Sequence, residues 1–135
     1  MKVHKSVSLS MAAVGAVAAV VLVPGTADAS SGGGCHTQSS GMGKLESCIS
    51  ASGAYLEPDG YLLVVADNCE TTYIELEDVT TGDVVLRDSV GCWPGHYGPF
   101  AYKGTNGHKY ATIVVTYSSS SQLAISWSPV ETLSY

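Results

Sequence analysis

The chain has 135 residues, and its 12 acidic residues outnumber its 6 basic ones, giving a net charge of −6. An acidic surface repels phosphate backbones and anionic lipids, which argues against nucleic acid and membrane surfaces as partners. The length allows one small domain after the N-terminal segment described next.

Residues 1–29 are expected to be a secretory signal peptide. Lys2 and Lys5 give a basic start, residues 7–23 form an apolar run, and residues 27–29 match an A-x-A cleavage pattern. A membrane anchor is the alternative, but the run is short for spanning a bilayer. Cleavage would leave a secreted, extracellular protein with no membrane attachment. Export to an oxidising compartment favours disulfides for the four cysteines.

Residues 30–44 are rich in glycine and serine and have no periodic apolar pattern. We therefore expect a flexible N-terminal arm, tied down only at Cys35. Such a segment can become ordered when it docks in another protein's cleft or adds to a sheet edge, and an inert linker is the alternative. The candidate partner contacts in this arm are Ser31, Gly32, Gly33, Gly34, His36, Thr37, Gln38, Met42 and Lys44.

The rest of the chain, residues 45–135, reads as short strands separated by turns. Apolar alternation or short apolar runs predict strands at 45–51, 61–66, 71–79, 84–90, 100–103, 110–117 and 122–128. In the last of these, Leu123, Ile125 and Trp127 are expected to face inward. Turn-forming residues predict turns or loops at 57–60, 80–83, 93–99, 104–107 and 118–121. The expected fold class is all-β, a small antiparallel β-sandwich of immunoglobulin-like size, with a small closed barrel as the alternative.

The four cysteines allow three pairings. Cys69 opens one predicted strand and Cys92 follows the next, and the midpoint between them falls in the 80–83 turn. A hairpin there would bring the two cysteines opposite each other, within bridging distance. Cys35 is then left to pair with Cys48. Zinc binding at Cys35 and its neighbour His36 is the alternative, which the lack of a C-x-x-C motif disfavours.

The sequence offers no catalytic constellation. His36 lies in the predicted arm, and His96 and His108 lie in glycine-bounded loops without an adjacent nucleophile. Glu75 and Glu77 share one strand face at a spacing known from glycosidases, but that face is expected to be open and solvated. We therefore expect a non-enzymatic binding module with no cofactor and no metal.

Residues 93–99 (WPGHYGP) form the second candidate binding segment. The loop is stiffened by two prolines and anchored at Cys92, and pre-ordered aromatic side chains make good binding anchors. Trp93, His96 and Tyr97 are the candidate contacts in this loop. The alternative is that Trp93 folds back and caps the core.

Several short motifs carry a family resemblance. They are 45–53 (LESCISASG), 57–61 (EPDGY), Cys69, Cys92 and the Gly98-Pro99 pair. In these motifs the chain resembles the small adaptor subunit of the Streptomyces umbrella toxin particles. The resemblance implies a non-enzymatic adaptor that links a secreted lectin-type subunit, with its trypsin-like domain, to a large repeat-containing polymorphic toxin. It also implies that the segment 30–44 inserts into a cleft of the lectin-type subunit.

Two other functions remain open. One is a secreted inhibitor of an amylase or a protease, although the Trp-Arg-Tyr triplet of the Streptomyces amylase inhibitors is absent and Arg87 is the only arginine. The other is a small carbohydrate-binding module that uses Trp93 and Tyr97.

Overall fold

In the computed structural model of the protein, residues 29–135 are described, and the predicted signal peptide lies outside them except for Ala29. The described residues form strands and no helix, so none of them belongs to a helix that could cross a membrane. The strands are β1 (Ser31–Gly32), β2 (Gly34–Ser40), β3 (Gly43–Ser52), β4 (Tyr55–Val65), β5 (Thr71–Asp78), β6 (Asp83–Val90), β7 (Gly95–Tyr97), β8 (Tyr102–Lys103), β9 (Lys109–Tyr117), β10 (Gln122–Trp127) and β11 (Glu131–Thr132).

The strands form two antiparallel sheets. The first has the order β1-β11-β9-β5-β6, and β10 pairs with β9 on the same side as β11. The second has the order β2-β3-β4-β7, and β8 pairs with the start of β4. The expected all-β antiparallel sandwich is confirmed.

The core lies between the two sheets and has two apolar clusters. Side chains from strands of both sheets point inward and form the core, as expected for a sandwich. One cluster contains Leu45, Leu62, Ile74, Val114 and Ala124, and the other contains Ile49, Leu56, Leu76, Tyr110 and Leu133. All of these side chains are at least nine-tenths buried.

Both predicted disulfides are present. Cys35 and Cys48 lie directly opposite each other on β2 and β3, with a Cα–Cα distance of 4.1 Å. Cys69 precedes β5 and Cys92 follows β6, with a Cα–Cα distance of 6.0 Å. The hairpin between β5 and β6 turns at residues 79–82, so the symmetry argument that paired Cys69 with Cys92 is confirmed.

The structure corrects the expectation of a flexible arm over 30–44. Residues 34–40 form β2, which pairs with β3 along its whole length, and residues 31–32 form β1, which pairs with β11. All seven residues of β2 are exposed. Because the strand contributes nothing to the core, it needs no apolar pattern, and composition alone could not reveal it.

Two predicted loops are also corrected. Residues 57–60 belong to β4 and not to a turn, because Pro58 lies between the stretch of β4 that pairs with β8 and the stretch that pairs with β7. The missing N–H of Pro58 therefore breaks no strand ladder on that side. Within 93–99, residues 95–97 form the short edge strand β7.

At Gly60, side chains of the first sheet closely approach the backbone of β4. A Cβ atom there would lie 2.5 Å from Val114 Cγ2 and 3.3 Å from Ile74 Cδ1. A glycine at this position lets the first sheet press its side chains against the backbone of β4.

We predict that Gly60→Ala lowers the free energy of unfolding by about 1–3 kcal/mol, because the added methyl group overpacks a closed interior. Urea unfolding followed by tryptophan fluorescence measures the change. Gly41→Ala is the matched control, since a Cβ at Gly41 meets nothing within 4 Å. Equal stability of the two variants would contradict this account of the core.

Candidate functional site

The predicted arm contacts all lie along the start of the described chain, and all but Gly33 are exposed. Ser31 and Gly32 are in β1, and Gly33 connects β1 to β2. Gly34, His36, Thr37 and Gln38 are in β2, Met42 is in the turn after it, and Lys44 is in β3. The structure thus places most of these residues on an ordered sheet edge.

β2 is the outermost strand of the second sheet. It pairs with β3 on one side, and no strand of the described chain pairs with its other side. An unpaired edge offers backbone N–H and C=O groups to an incoming strand, which is how many proteins bind extended peptides. One of these groups, the carbonyl of His36, accepts a hydrogen bond from Ser126 Oγ at 3.0 Å.

A cleft of about 350 Å³ separates the edge of β2 from β10 of the first sheet. His36 and Gln38 line it from β2, and Leu123, Ile125 and Trp127 line it from β10. The cleft therefore combines polar side chains on one wall with apolar side chains on the other.

The expectation that Trp127 faces inward is wrong, since its side chain is 44% exposed. A bulge between Gln122 and Ala124 shifts the register of β10 against β9 by one residue. Such a shift reverses which side chains point inward beyond the bulge, so Ala124 and Ser126 are buried there. Leu123, which lies at the bulge, is buried as expected, Ile125 is half-buried, and Trp127 is exposed. Sequence reasoning missed Trp127 as a surface residue because nothing in 122–128 marks the bulge.

The aromatic segment, residues 93–99, lies at the edge of the second sheet opposite to β2, where residues 95–97 form β7. Trp93 is 79% exposed, so the alternative in which it caps the core is wrong. Tyr97 is half-buried against the core, and its hydroxyl donates a hydrogen bond to the Trp93 carbonyl at 2.6 Å. Cys92, joined to Cys69, holds the other side of the loop. Trp93 thus stands in solvent on a braced backbone.

His96 is held in one orientation by two neighbours. Its Nε2 lies 2.6 Å from Asp59 Oδ2, and its ring stacks on Tyr61 with 4.2 Å between centroids and 8° between planes. β7 brings about both contacts, because His96 is directly opposite Tyr61 on β4. Within the described residues no hydroxyl or thiol bonds to His96, so the His-Asp pair has no adjacent nucleophile.

His108, which immediately precedes β9, is also paired with an acid. Its Nδ1 lies 2.7 Å from Asp78 Oδ2, and the Thr80 and Thr81 amides donate to Asp78 Oδ1. Burial alone would raise the pKa of Asp78, but the hydrogen bonds from His108 and the two amides outweigh it and lower the pKa below 3.8. This cluster closes the β5–β6 turn.

The acidic pair on β5 does not form an open carboxylate face. Glu75 is only 7% exposed, and Arg87 on β6 binds its carboxylate while stacking over Tyr73 at 5.0 Å. The expectation of a solvated face at Glu75 is therefore wrong. The cation bound to Glu75 gives it a structural partner in place of a substrate.

Cys35, Cys48 and Glu46 form the one group of potential metal ligands found among the described residues. Both cysteine sulfurs are joined in the disulfide, so neither is a free thiolate that could bind zinc.

The two candidate segments are connected by a row of side chains across the outer face of the second sheet. Thr37, Glu46, Tyr61 and His96 are successive partners across β2, β3, β4 and β7. Three strand spacings separate the outer strands, which corresponds to about 14 Å. One rigid sheet therefore carries an unpaired strand edge on one side and an exposed tryptophan on the other.

Comparison of the chain with models of protein families, with curated proteins and with solved structures finds no match.

We predict that Tyr97→Phe increases the motion of Trp93, because the variant loses the hydrogen bond that holds the Trp93 carbonyl, worth about 1 kcal/mol. The order parameter of the Trp93 indole N–H, from NMR relaxation, should fall. Tyr55→Phe, at an exposed tyrosine remote from the loop, is the control. An unchanged order parameter in Tyr97→Phe would show that the brace does not order Trp93.

Proposed function

We propose that this chain is a secreted, non-enzymatic adaptor that joins two protein partners. The observation that supports this most strongly is the placement of the two candidate segments at opposite edges of one sheet. An adaptor needs two surfaces that partners can occupy at the same time, and the β2 edge and the Trp93 loop lie on opposite sides of the second sheet and share no residue.

Each edge suits a different kind of contact. The β2 edge offers backbone groups and the neighbouring cleft to an extended segment of a partner. The other edge offers Trp93 and Tyr97, and aromatic side chains of this kind dominate the energy of many interfaces. The two disulfides are compatible with an extracellular location.

The sequence resemblance gives the proposal a specific form. One partner would be the lectin-type subunit with a trypsin-like domain, and the other would be the large repeat-containing toxin of an umbrella particle. In that form β1 and β2, in place of a flexible arm, supply the contact with the lectin-type subunit.

We predict that substitutions at the two edges separate the two partners. The exported protein is used to capture proteins from the culture supernatant of the producing organism, and these are identified by mass spectrometry. His36→Lys/Gln38→Lys places charges along the β2 edge and should release one partner, because edge charges oppose strand addition. Trp93→Ala should release the other, with a loss of affinity of roughly 30-fold or more.

Matched controls keep the test specific. Ser119→Lys/Ser120→Lys adds the same charge to the exposed hairpin between β9 and β10, and Tyr55→Ala removes another exposed aromatic side chain. Both controls should retain both partners. Loss of the same partner from both edge variants, or of neither, would contradict the bridging role.

A carbohydrate-binding module is the second candidate, favoured by the 79% exposure of Trp93. A flat, exposed indole can stack on a sugar ring without a deep cleft. Retention on insoluble polysaccharide that is lost in Trp93→Ala, with no captured protein, would favour this function over the adaptor.

A further inference from the structure

A pocket of about 820 Å³ lies between β1, β11 and the end of β3, next to the start of β2 and remote from the cleft between β2 and β10. The walls are mainly apolar and come from residues such as Gly34, Ile49 and Ala51. The lining also includes the hydroxyl-bearing residues Ser30, Ser50, Ser134 and Tyr135. Glu131 is the one acidic or basic side chain that lines it among the described residues. The sequence analysis assigned no role to this acid.

Glu131 is buried without a partner. Glu131 is 4% exposed, and no hydrogen bond or ion pair to its carboxylate is found within residues 29–135. Among these residues Thr112 Oγ1 is the fully buried side-chain oxygen without a partner, so the Glu131 oxygens retain contact with the solvent of the pocket. Burial raises the pKa of Glu131 above its ordinary value of 4.5. Buried carboxylates are costly unless paired, so a carboxylate that faces a cavity is a reason to look for a missing cation.

The backbone holds the carboxylate in place. Gly33 has φ +74°, and a Cβ atom there would lie 2.0 Å from Glu131 Oε2 and 2.8 Å from the Ile49 carbonyl oxygen. Only a glycine leaves space for the acid at this point. Gly33 therefore makes room for the carboxylate of Glu131, at the point where the chain passes from β1 of one sheet to β2 of the other.

The other two buried acids of the described residues, Glu75 and Asp78, have hydrogen-bond or ion-pair partners. Arg87 binds Glu75, and His108 with two backbone amides binds Asp78. Glu131 differs from them only in that its partner is missing. A protonated Glu131 would need no charged partner, whereas the ionised carboxylate would be stabilised by a cation that tolerates largely apolar walls.

The chemistry of the walls narrows the ligand. Divalent ions require several oxygen ligands, and the pocket supplies one carboxylate. A single positive charge on an aliphatic stem matches one carboxylate in a mainly apolar pocket whose few other polar groups are hydroxyls. Lysine and arginine side chains have this form.

We propose that the Glu131 pocket receives the basic side chain of a protein partner, an identification of the occupant that rests on the adaptor function proposed above. Gly32 and Gly34 belong both to the pocket wall and to the segment that leads into the β2 edge. A partner strand docked along β2 can therefore place a neighbouring lysine or arginine on Glu131. The acidic net charge of the chain complements a basic partner.

The test uses the exported, disulfide-bonded protein and small probes, so it does not depend on the partner. n-Butylammonium and n-butylguanidinium represent the two basic side chains, and n-butanol represents the stem without its charge. The carbon-13 chemical shift of the Glu131 carboxyl, followed against pH, reports its ionisation. Either cation should lower the pKa of Glu131, and n-butanol should not.

Variants identify the site. Glu131→Gln should weaken n-butylammonium binding about tenfold or more, whereas Glu70→Gln, at an exposed acid outside the pocket, should leave it unchanged. Where the folded-state pKa of an acid is higher than its unfolded-state pKa, the free energy of unfolding of the protein falls as the pH rises towards the folded-state pKa, because the folded state must then hold a buried charge. Without a cation, Glu131→Gln should therefore unfold at an equal or higher temperature than the parent at neutral pH.

Two results would overturn the proposal. One is that neither cation moves the Glu131 titration. The other is that Glu131 already titrates at or below 4.5 in the free protein, because the carboxylate would then have a partner within the chain. If acetylating the α-amine restored a raised pKa, that partner would be the processed N-terminus. Each result leaves the two-edge capture experiment unaffected, so the two proposals fail separately.

Discussion

The pairing of β2 with β3, locked by the Cys35–Cys48 disulfide, decides which part of the second sheet meets solvent. β2 exposes all seven of its residues and contributes no side chain to the apolar core. Its attachment therefore depends on the strand ladder and on the covalent link, and a bridge that closes so short a loop stabilises by about 3 kcal/mol. The same link fixes the register, which places His36 and Gln38 beside the cleft to β10.

The sequence predicted best where side chains alternate between core and solvent. β5 alternates over much of its length, β9 is a nearly continuous buried run, and the hairpin between β5 and β6 correctly predicted the Cys69–Cys92 bridge. These predictions succeeded because burial on one face leaves a direct mark on residue choice. The same reasoning predicted the sandwich, since several such strands at short spacing have to cover one another.

The incorrect predictions have one physical cause. Local composition does not show which residues distant in the sequence lie next to a segment in the fold. β2 looked like a linker because an edge strand needs no apolar face, and Pro58 looked like a turn residue because its vacant side on β4 is visible only in the sheet order. Trp127 was placed on the wrong side because one bulge reverses a two-residue period. For the candidate site, the sequence identified Trp93, His96 and Tyr97, whereas the stacking of His96 on Tyr61 depends on the pairing of β7 with β4.

Rigidity is the consequence that most affects binding. A flexible arm would lose conformational entropy when it docks, which lowers the affinity gained from a given contact area. Here the edge strand is ordered during folding, and Trp93 stands on a backbone held by Tyr97 and by a disulfide. Binding at either edge then requires little further ordering of this chain, so more of the contact energy remains as affinity. In the proposed adaptor, two partners bound at these edges would be held at a distance that is fixed by the strands between them and does not vary with a linker.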